Sequence, residues 1–303
     1  MNNNEIIRFS SLSKMYDKHV GISNLDFSIK EGEVFGFLGP NGAGKTTTIR
    51  LMLDLLKPSG GSVHIFGKDV KNASLEIRKR LGYLPGDFSP YDRMTGNEFL
   101  KFSSNLRQIN YSKPTILLDT FELSDRDLNK KIRAYSQGMK QKLGIIQAVS
   151  HRPELIILDE PSTGLDPLMQ DALYELLLGL NSEGSTIFFS SHNLPEVEKI
   201  CKKVAIVKEG KLVGFESLES LRQKITKKLI LKLPLDVTAA PQLQGADLIS
   251  NNQNIFEYRI TGELNSLFAQ LARFRIEDLI LPAPSLEDIF LSFYDKNQKK
   301  KTQ

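Results

Sequence analysis

The stretch that most limits what this chain can fold into is GPNGAGKTT, residues 39–47, set between the apolar run EVFGFLG and the helix-like TTTIRLMLDLLKPSGG. Gly39, Gly44, Lys45 and Thr46 fit the pattern G-x-x-x-x-G-K-[ST]. A short apolar run ending in glycine reads as a buried parallel strand. The segment after the loop has helical spacing as far as Pro58. Strand, glycine loop and helix together turn successive backbone N–H groups inward around phosphate oxygens, and the helix N-terminus adds positive potential. Lys45 is then placed to reach the β- and γ-phosphates, and the Thr46 hydroxyl to ligate Mg²⁺. A nucleotide is therefore expected here, with Gly39, Pro40, Asn41, Gly42, Ala43, Gly44, Lys45, Thr46 and Thr47 around its phosphates.

A second unit of the same kind lies further along. ELIILDEP and STIFFSSH read as strands, with the helix-like PLMQDALYELLLGL between them. That order implies a parallel sheet with a right-handed crossover. Four aliphatic residues, Leu155 to Leu158, end in Asp159 and Glu160, at the crevice where α/β proteins bind ligands. One acid can hold Mg²⁺ while the other polarises an attacking water. A kinase would need a pocket for a second substrate, and nothing in the chain announces one.

The remaining segments arrange themselves around this core. EIIRFSSL and ISNLDFSI alternate like strands ahead of the loop, and KVAIVKEGKLVGFES reads as two strands around Glu209-Gly210. Residues from about 87 to 150 look like a helical insertion, with Thr95 and Glu98 at capping-box spacing. Beyond about residue 222 the texture changes. KLILKLPLDV and NIFEYRI look like strands, while ELNSLFAQLARF and SLEDIFLSFY carry amphipathic helical spacing, the latter with Ser285 and Asp288 at its start. The expected organisation is a nucleotide-binding α/β domain over 1–221 and a small α+β domain over 222–303.

Composition narrows the partners. Forty Lys+Arg against 36 Asp+Glu, without a basic stripe, do not argue for nucleic acid, and Lys299-Lys300-Lys301 reads as a solvated tail. A lone Cys201 excludes an internal disulfide and suits a reducing compartment. No secretory signal is visible in MNNNEIIRF, and no apolar run approaches the roughly 18 residues that cross a bilayer. Any membrane role is expected to come through a partner.

The pieces stand in a fixed order: the loop at 39–47, YSQGMKQ at 135–141, LIILDEP at 155–161, STGLDP at 162–167 and SSH at 190–192. That series, over about residues 5–220, resembles the ATPase subunit of ABC transporters. The resemblance implies a P-loop NTPase fold with a helical subdomain (about 87–150) and N-terminal antiparallel strands. It implies that Ser136, Gln137 and Gly138 form the signature segment that meets the γ-phosphate of ATP held on a second copy. A hydroxyl and free N–H groups at a helix start suit an anion. Asp159 matches the Mg²⁺-directing acid, Glu160 the general base, Asp166 the loop crossing the dimer interface, and His192 the switch histidine. Tyr16 lies where the family stacks an aromatic on adenine, worth about 1–3 kcal/mol by analogy with other base-stacking platforms.

Two departures stand out. The signature differs from L-S-G-G-Q in Tyr135, Gln137 and Met139-Lys140, variants that look familiar in drug- and antibiotic-export members. Where the family has a glutamine joining Mg²⁺, this chain has Gly86 in LGYLPGDF, so water or Asp87 substitutes, or the contact is missing. The terminal PSLEDIFLSFY is similar to the end of ABC-2 type exporter ATPases. The resemblance thus implies a homodimer that hydrolyses ATP with Mg²⁺ on the inner face of the cell membrane, driving export of a drug, antibiotic or lipid through a separate permease. The alternative is a soluble ABC-type ATPase of DNA repair or translation, which would usually carry a long coiled coil or two cassettes in one chain.

Overall fold

The computed structural model describes residues 4–17, 19–223, 227–237 and 239–282. The chain divides into two compact units, Met1–Leu218 and Glu219–Gln303. Up to the middle of the first unit the elements are β1 (Glu5–Tyr16), β2 (His19–Lys30), β3 (Val34–Leu38), α1 (Lys45–Met52), β4 (Gly60–Ile65), β5 (Lys68–Asp69), α2 (Val70–Arg80) and β6 (Leu81–Leu84). Helices α3 (Gly96–Leu106), α4 (Thr115–Thr120), α5 (Asp125–Leu128) and α6 (Gln137–Val149) then occupy the stretch expected to be a helical insertion. Next come β7 (Leu155–Asp159), α7 (Pro167–Ser182), β8 (Thr186–Ser191), α8 (Leu194–Ile200), β9 (Lys203–Lys208), β10 (Lys211–Ser217) and α9 (Leu218–Gln223). The rest of the chain supplies β11 (Lys228–Lys232), β12 (Ala246–Asn252), β13 (Ile255–Ile260), α10 (Leu264–Leu271) and β14 (Asp278–Ile280).

The first unit is built on a six-stranded sheet of order β10-β9-β3-β8-β7-β6. All neighbours pair in parallel except β10, which returns against β9 through Glu209 and Gly210, both at positive φ (49° and 76°). Parallel strands need both faces covered, and every residue of β3, β7 and β8 is buried. An antiparallel sheet, β2-β1-β4-β5, supplies one cover. Its Phe27 ring lies 4.4 Å from Phe9 of its own sheet, and 5.8 and 6.3 Å from Phe35 and Phe37 of β3. Each such ring contributes about 1.5–3 kcal/mol by leaving water. The strand register sets where the connecting loops emerge. Leu38 pairs with Ser191 and Asp159 with Ser190, so the loops leaving β3, β7 and β8 come out side by side.

The helix after the phosphate loop is shorter than its spacing predicts. It stops at Met52, six residues before Pro58. Asp54 takes a left-handed φ of 53°, and its N–H donates to Leu51 O while the Leu55 N–H donates to Arg50 O. That is a Schellman closure, with Asp in the place that glycine usually holds. The capping box at the start of α3 forms as its spacing predicts: Glu98 N donates to Thr95 Oγ1 (3.2 Å) and Thr95 N to Glu98 Oε2 (2.7 Å).

His151, just beyond α6, gives this unit a pH dependence. Its Nε2 lies 3.2 Å from Leu81 O, and its Nδ1 is buried without a partner. Burial, reinforced by the Arg107 guanidinium, pushes the imidazole down to about 4 from its usual 6.5. The folded chain thus binds that proton less readily than the unfolded one, so the stabilisation is present above pH 6.5 and lost as pH falls toward 4. Urea titrations are expected to show a falling midpoint over that window in the wild type, and a flatter profile in His151→Gln.

The second unit holds the antiparallel sheet β12-β13-β11-β14 with α10. Leu229, Leu231, Phe256, Tyr258, Leu267 and Leu271 form its core, and Tyr258 donates its hydroxyl to Pro241 O at 2.7 Å. KLILKLPLDV, NIFEYRI and ELNSLFAQLARF supply β11, β13 and α10, as their patterns predict. β12 is not predicted by its sequence, because ADLISNN is an exposed edge without apolar alternation. The helix expected at SLEDIFLSFY, its Ser285–Asp288 start and the lysine tail lie outside the described residues. No helix among the described residues is long and apolar enough to cross a membrane.

Candidate active site

The loop after β3 is shaped by its glycines. Gly44 has φ 104°, and a Cβ there would lie 2.6 Å from Gly21 O, so conformation and space both demand glycine. Gly44 is the N-cap of α1 and offers no side-chain cap, leaving the first-turn N–H groups of an eight-residue helix directed at the loop. The Lys45 side chain is only 7% exposed. Its Nζ donates to Gly39 O (2.7 Å) and Pro40 O (3.3 Å) and stands 3.2 Å from Glu160 Oε1.

The acids come from the end of β7. Asp159 is buried, its Oδ2 accepting from Thr46 Oγ1 at 2.8 Å and its Oδ1 from Ser190 Oγ at 2.9 Å. Burial pushes its carboxyl up, while those two hydroxyls pull the other way. Glu160 leaves the strand direction at φ 52°, a left-handed conformation that costs a non-glycine residue on the order of 1–2 kcal/mol. Strain of that kind at a site of converging charges points to function. His192, just past β8, places Nδ1 2.6 Å from Glu160 Oε2.

These residues line one cleft of about 530 Å³. Pro40, Asn41, Gly42, Gly44, Lys45, Thr46, Thr47, Asp159, Glu160 and His192 all face it. Gly39 and Ala43 lie beneath the loop: a Cβ on Gly39 would come within 2.6 Å of Val207 O, and Ala43 is 3% exposed. Tyr16 borders the cleft, exposed at its rim, with its hydroxyl 3.5 Å from Thr47 Oγ1. Ser136, Gln137, Gly138 and Asp166 do not line it. Ser136 caps α6 by accepting from Met139 N (3.2 Å), and Asp166 caps α7 by accepting from Met169 N (3.0 Å). Gly138 packs on the loop after the acids, close enough that a Cβ would meet Gly164 O at 2.9 Å.

The cleft also contains residues outside the expected site set: Gly21, Arg50, Tyr83, Pro85 and Thr163, together with Asp87. Arg50 had a legible signal, since it sits one helical turn beyond Thr46. Burial and the neighbouring Asp159 charge push the Tyr83 hydroxyl up to about 12. Gly86 lines the cleft too, and a Cβ there would lie 3.4 Å from Asp159 Oδ2. It brings no side-chain ligand, whereas Asp87 beside it carries a carboxylate at the same cleft.

The set fits a Mg²⁺–nucleotide. Thr46 and Asp159 offer two adjacent hard oxygens, as Mg²⁺ prefers when it shares its shell with phosphates and water. No group of three or more His, Cys, Asp or Glu among the described residues could hold a metal by itself. Thr46 and Asp159 would fill only part of a Mg²⁺ shell, leaving the rest to phosphate oxygens and water.

Known proteins share this architecture. The family model described as ABC transporter matches residues 22–163, and a second model, for an AAA domain, matches 131–197. An uncharacterized ABC transporter ATP-binding protein of Nostoc sp. is 42% identical over 73% of this chain and 69% of its own length. The bacitracin transport ATP-binding protein BcrA of Bacillus licheniformis is 33% identical over 94% of this chain and 96% of its own. A solved ATP-binding subunit of an ABC transporter superposes with a TM-score of 0.68 at 30% identity, covering 72% of this chain and 92% of that one. Phosphate loop, acid pair and near full-length relatives agree, and the chain belongs to the ABC transporter ATP-binding proteins.

Proposed function

We propose that ATP is hydrolysed in the cleft between the 39–47 loop and the Asp159–Glu160 turn, and that two copies close over two ATP molecules to drive a separate membrane permease. The observation that carries this reading is the convergence of Lys45, Thr46, Asp159, Glu160 and His192 in one cleft. The loop N–H groups and Lys45 hold the phosphates, and Tyr16 supports the adenine from the rim. Thr46 and Asp159 would hold Mg²⁺, which would supply neutralisation of charge on the phosphate oxygens. Glu160 takes the proton of the attacking water, and His192, 2.6 Å from its carboxylate, orients both. Lys45 stabilises charge on the γ-phosphoryl in the transition state. Ser136, Gln137, Gly138 and Asp166, which lie away from the cleft of their own chain, complete the site of a second copy. Differential binding of ATP to the closed dimer is what moves the permease.

Residues 1–221 serve as the ATPase domain, with a helical subdomain at about 87–150, and 222–303 as an accessory domain. Likeness to a bacitracin transport protein along nearly the whole chain supports a drug, antibiotic or lipid as the exported cargo. The working location is the cytoplasmic face of the cell membrane, reached through the permease. Tagged protein purified from membranes is expected to bring down a polytopic partner and to hydrolyse ATP faster with it. Recovery without any membrane partner, at an unchanged rate, would count against transport.

A further inference from the structure

The loops carrying Glu160 and His192 share a buried acid that does not line the cleft. Glu196, on α8, is 6% exposed. Its Oε1 accepts from Ser162 Oγ at 2.7 Å and Asn193 Nδ2 at 2.9 Å, and its Oε2 from Ser191 Oγ at 3.0 Å. Ser191 Oγ in turn accepts from Asn193 N at 2.9 Å. The nearest cation in sequence, Lys199, pairs with Asp171 instead.

Three facts give this arrangement meaning. Ser162 lies two residues after Glu160, while Ser191 and Asn193 flank His192, so one side chain grips both sides of the 2.6 Å Glu160–His192 contact. A buried carboxylate met, among the described residues, only by neutral donors is costly to keep, and packing alone would be served by an apolar residue. A carboxylate also accepts and never donates, so it obliges both serine hydroxyls to point at it. A glutamine would place a donor on one side and free one hydroxyl to turn away.

We propose that Glu196 is a positioning residue for hydrolysis, setting the general base and the histidine at working distance without touching ATP. This rests on the catalytic roles given to Glu160 and His192. Through Ser162 the same carboxylate also fixes Thr163, which lines the cleft, and Gly164, which packs against Gln137 and Gly138. The histidine is thereby tied to the segment that neighbours the signature turn.

The test uses the full chain with Glu196→Gln, Glu196→Ala, Ser162→Ala and Ser191→Ala, measuring ATP affinity, KM, kcat and the urea midpoint. Glu196→Gln is expected to keep ATP affinity and KM while kcat falls about tenfold or more, the scale of a small misplacement of reacting groups. The serine variants should lower kcat less, and add nothing in the Glu196→Gln background because they act through the same carboxylate. If Glu196→Ala does not fold, the glutamine and serine variants carry the test. Wild-type kcat in all of them, or a kcat loss matched by lost ATP affinity, overturns the proposal. A dead Glu160→Gln beside a normal Glu196→Gln would sink this inference alone. A Glu160→Gln that turns over normally would remove the base assignment, and this proposal with it.

Discussion

Glu160→Gln is expected to bind ATP at least as well as the wild type and to lose turnover by about 10²–10⁴-fold, the range supplied by a positioned general base. Both halves follow from the geometry. Glu160 Oε1 is 3.2 Å from Lys45 Nζ in an ion pair whose side chains are only 7% and 19% exposed. A phosphate entering the loop must compete with that carboxylate for the ammonium. Glutamine removes the competing charge, so affinity is held or improved. The amide cannot take a proton from water, and the histidine opposite Oε2 loses its charged partner. The strained backbone at φ 52° is kept by either side chain, so the substitution tests chemistry and leaves the turn in place. Equilibrium ATP binding and single-turnover hydrolysis measure the two halves separately. Steady-state hydrolysis near the wild-type rate would refute the base assignment.

The parts of the site legible in the sequence share one physical cause. Gly39 to Thr47 and Leu155 to Glu160 are local: strand, turn chemistry and acid lie within a few residues of each other, and periodicity places them. Their meeting is also local in consequence, because parallel strands β3, β7 and β8 deliver three loops to one edge. Glu196 could not be found that way. Its importance comes from Ser162, 34 positions earlier, and nothing in LPEVEKI separates a buried acid from a solvated one. Tyr83 was hidden similarly, inside a four-residue strand where an aromatic reads as core. In the fold, α1 ends before its apolar spacing does, because a left-handed Asp54 closes the helix although the spacing runs on to Pro58. The edge strand β12 is not legible in its sequence, because an exposed, polar segment has no period to read.

Ser136→Arg should separate the two halves of the proposed composite site. Ser136 is exposed, and within its own chain its side chain caps α6 through Met139 N. Losing that cap costs about 0.5–2 kcal/mol. Helix α6 is anchored well beyond its first turn: Leu143, Ile145, Ile146 and Val149 are buried, and Gln141, 1% exposed, donates to Pro161 O at 2.8 Å. The monomer should therefore fold and, since Ser136 is not among the residues lining its own ATP cleft, bind ATP with unchanged affinity. On the proposed reading, arginine alters the surface offered to a second copy, replacing a small hydroxyl with a long side chain where a γ-phosphate would sit. The clearest readout combines substitutions. Glu160→Gln should dimerise on ATP, because ATP is held unhydrolysed, and Glu160→Gln with Ser136→Arg should remain monomeric by sedimentation while still binding ATP. Ser136→Ala supplies the control, losing the cap without adding bulk, and is expected to dimerise more weakly than Glu160→Gln alone but well above the arginine variant. Full ATP-driven dimerisation with arginine in place would return residues 136–138 to the role of an ordinary helix cap, because the closed dimer would then have no need of them.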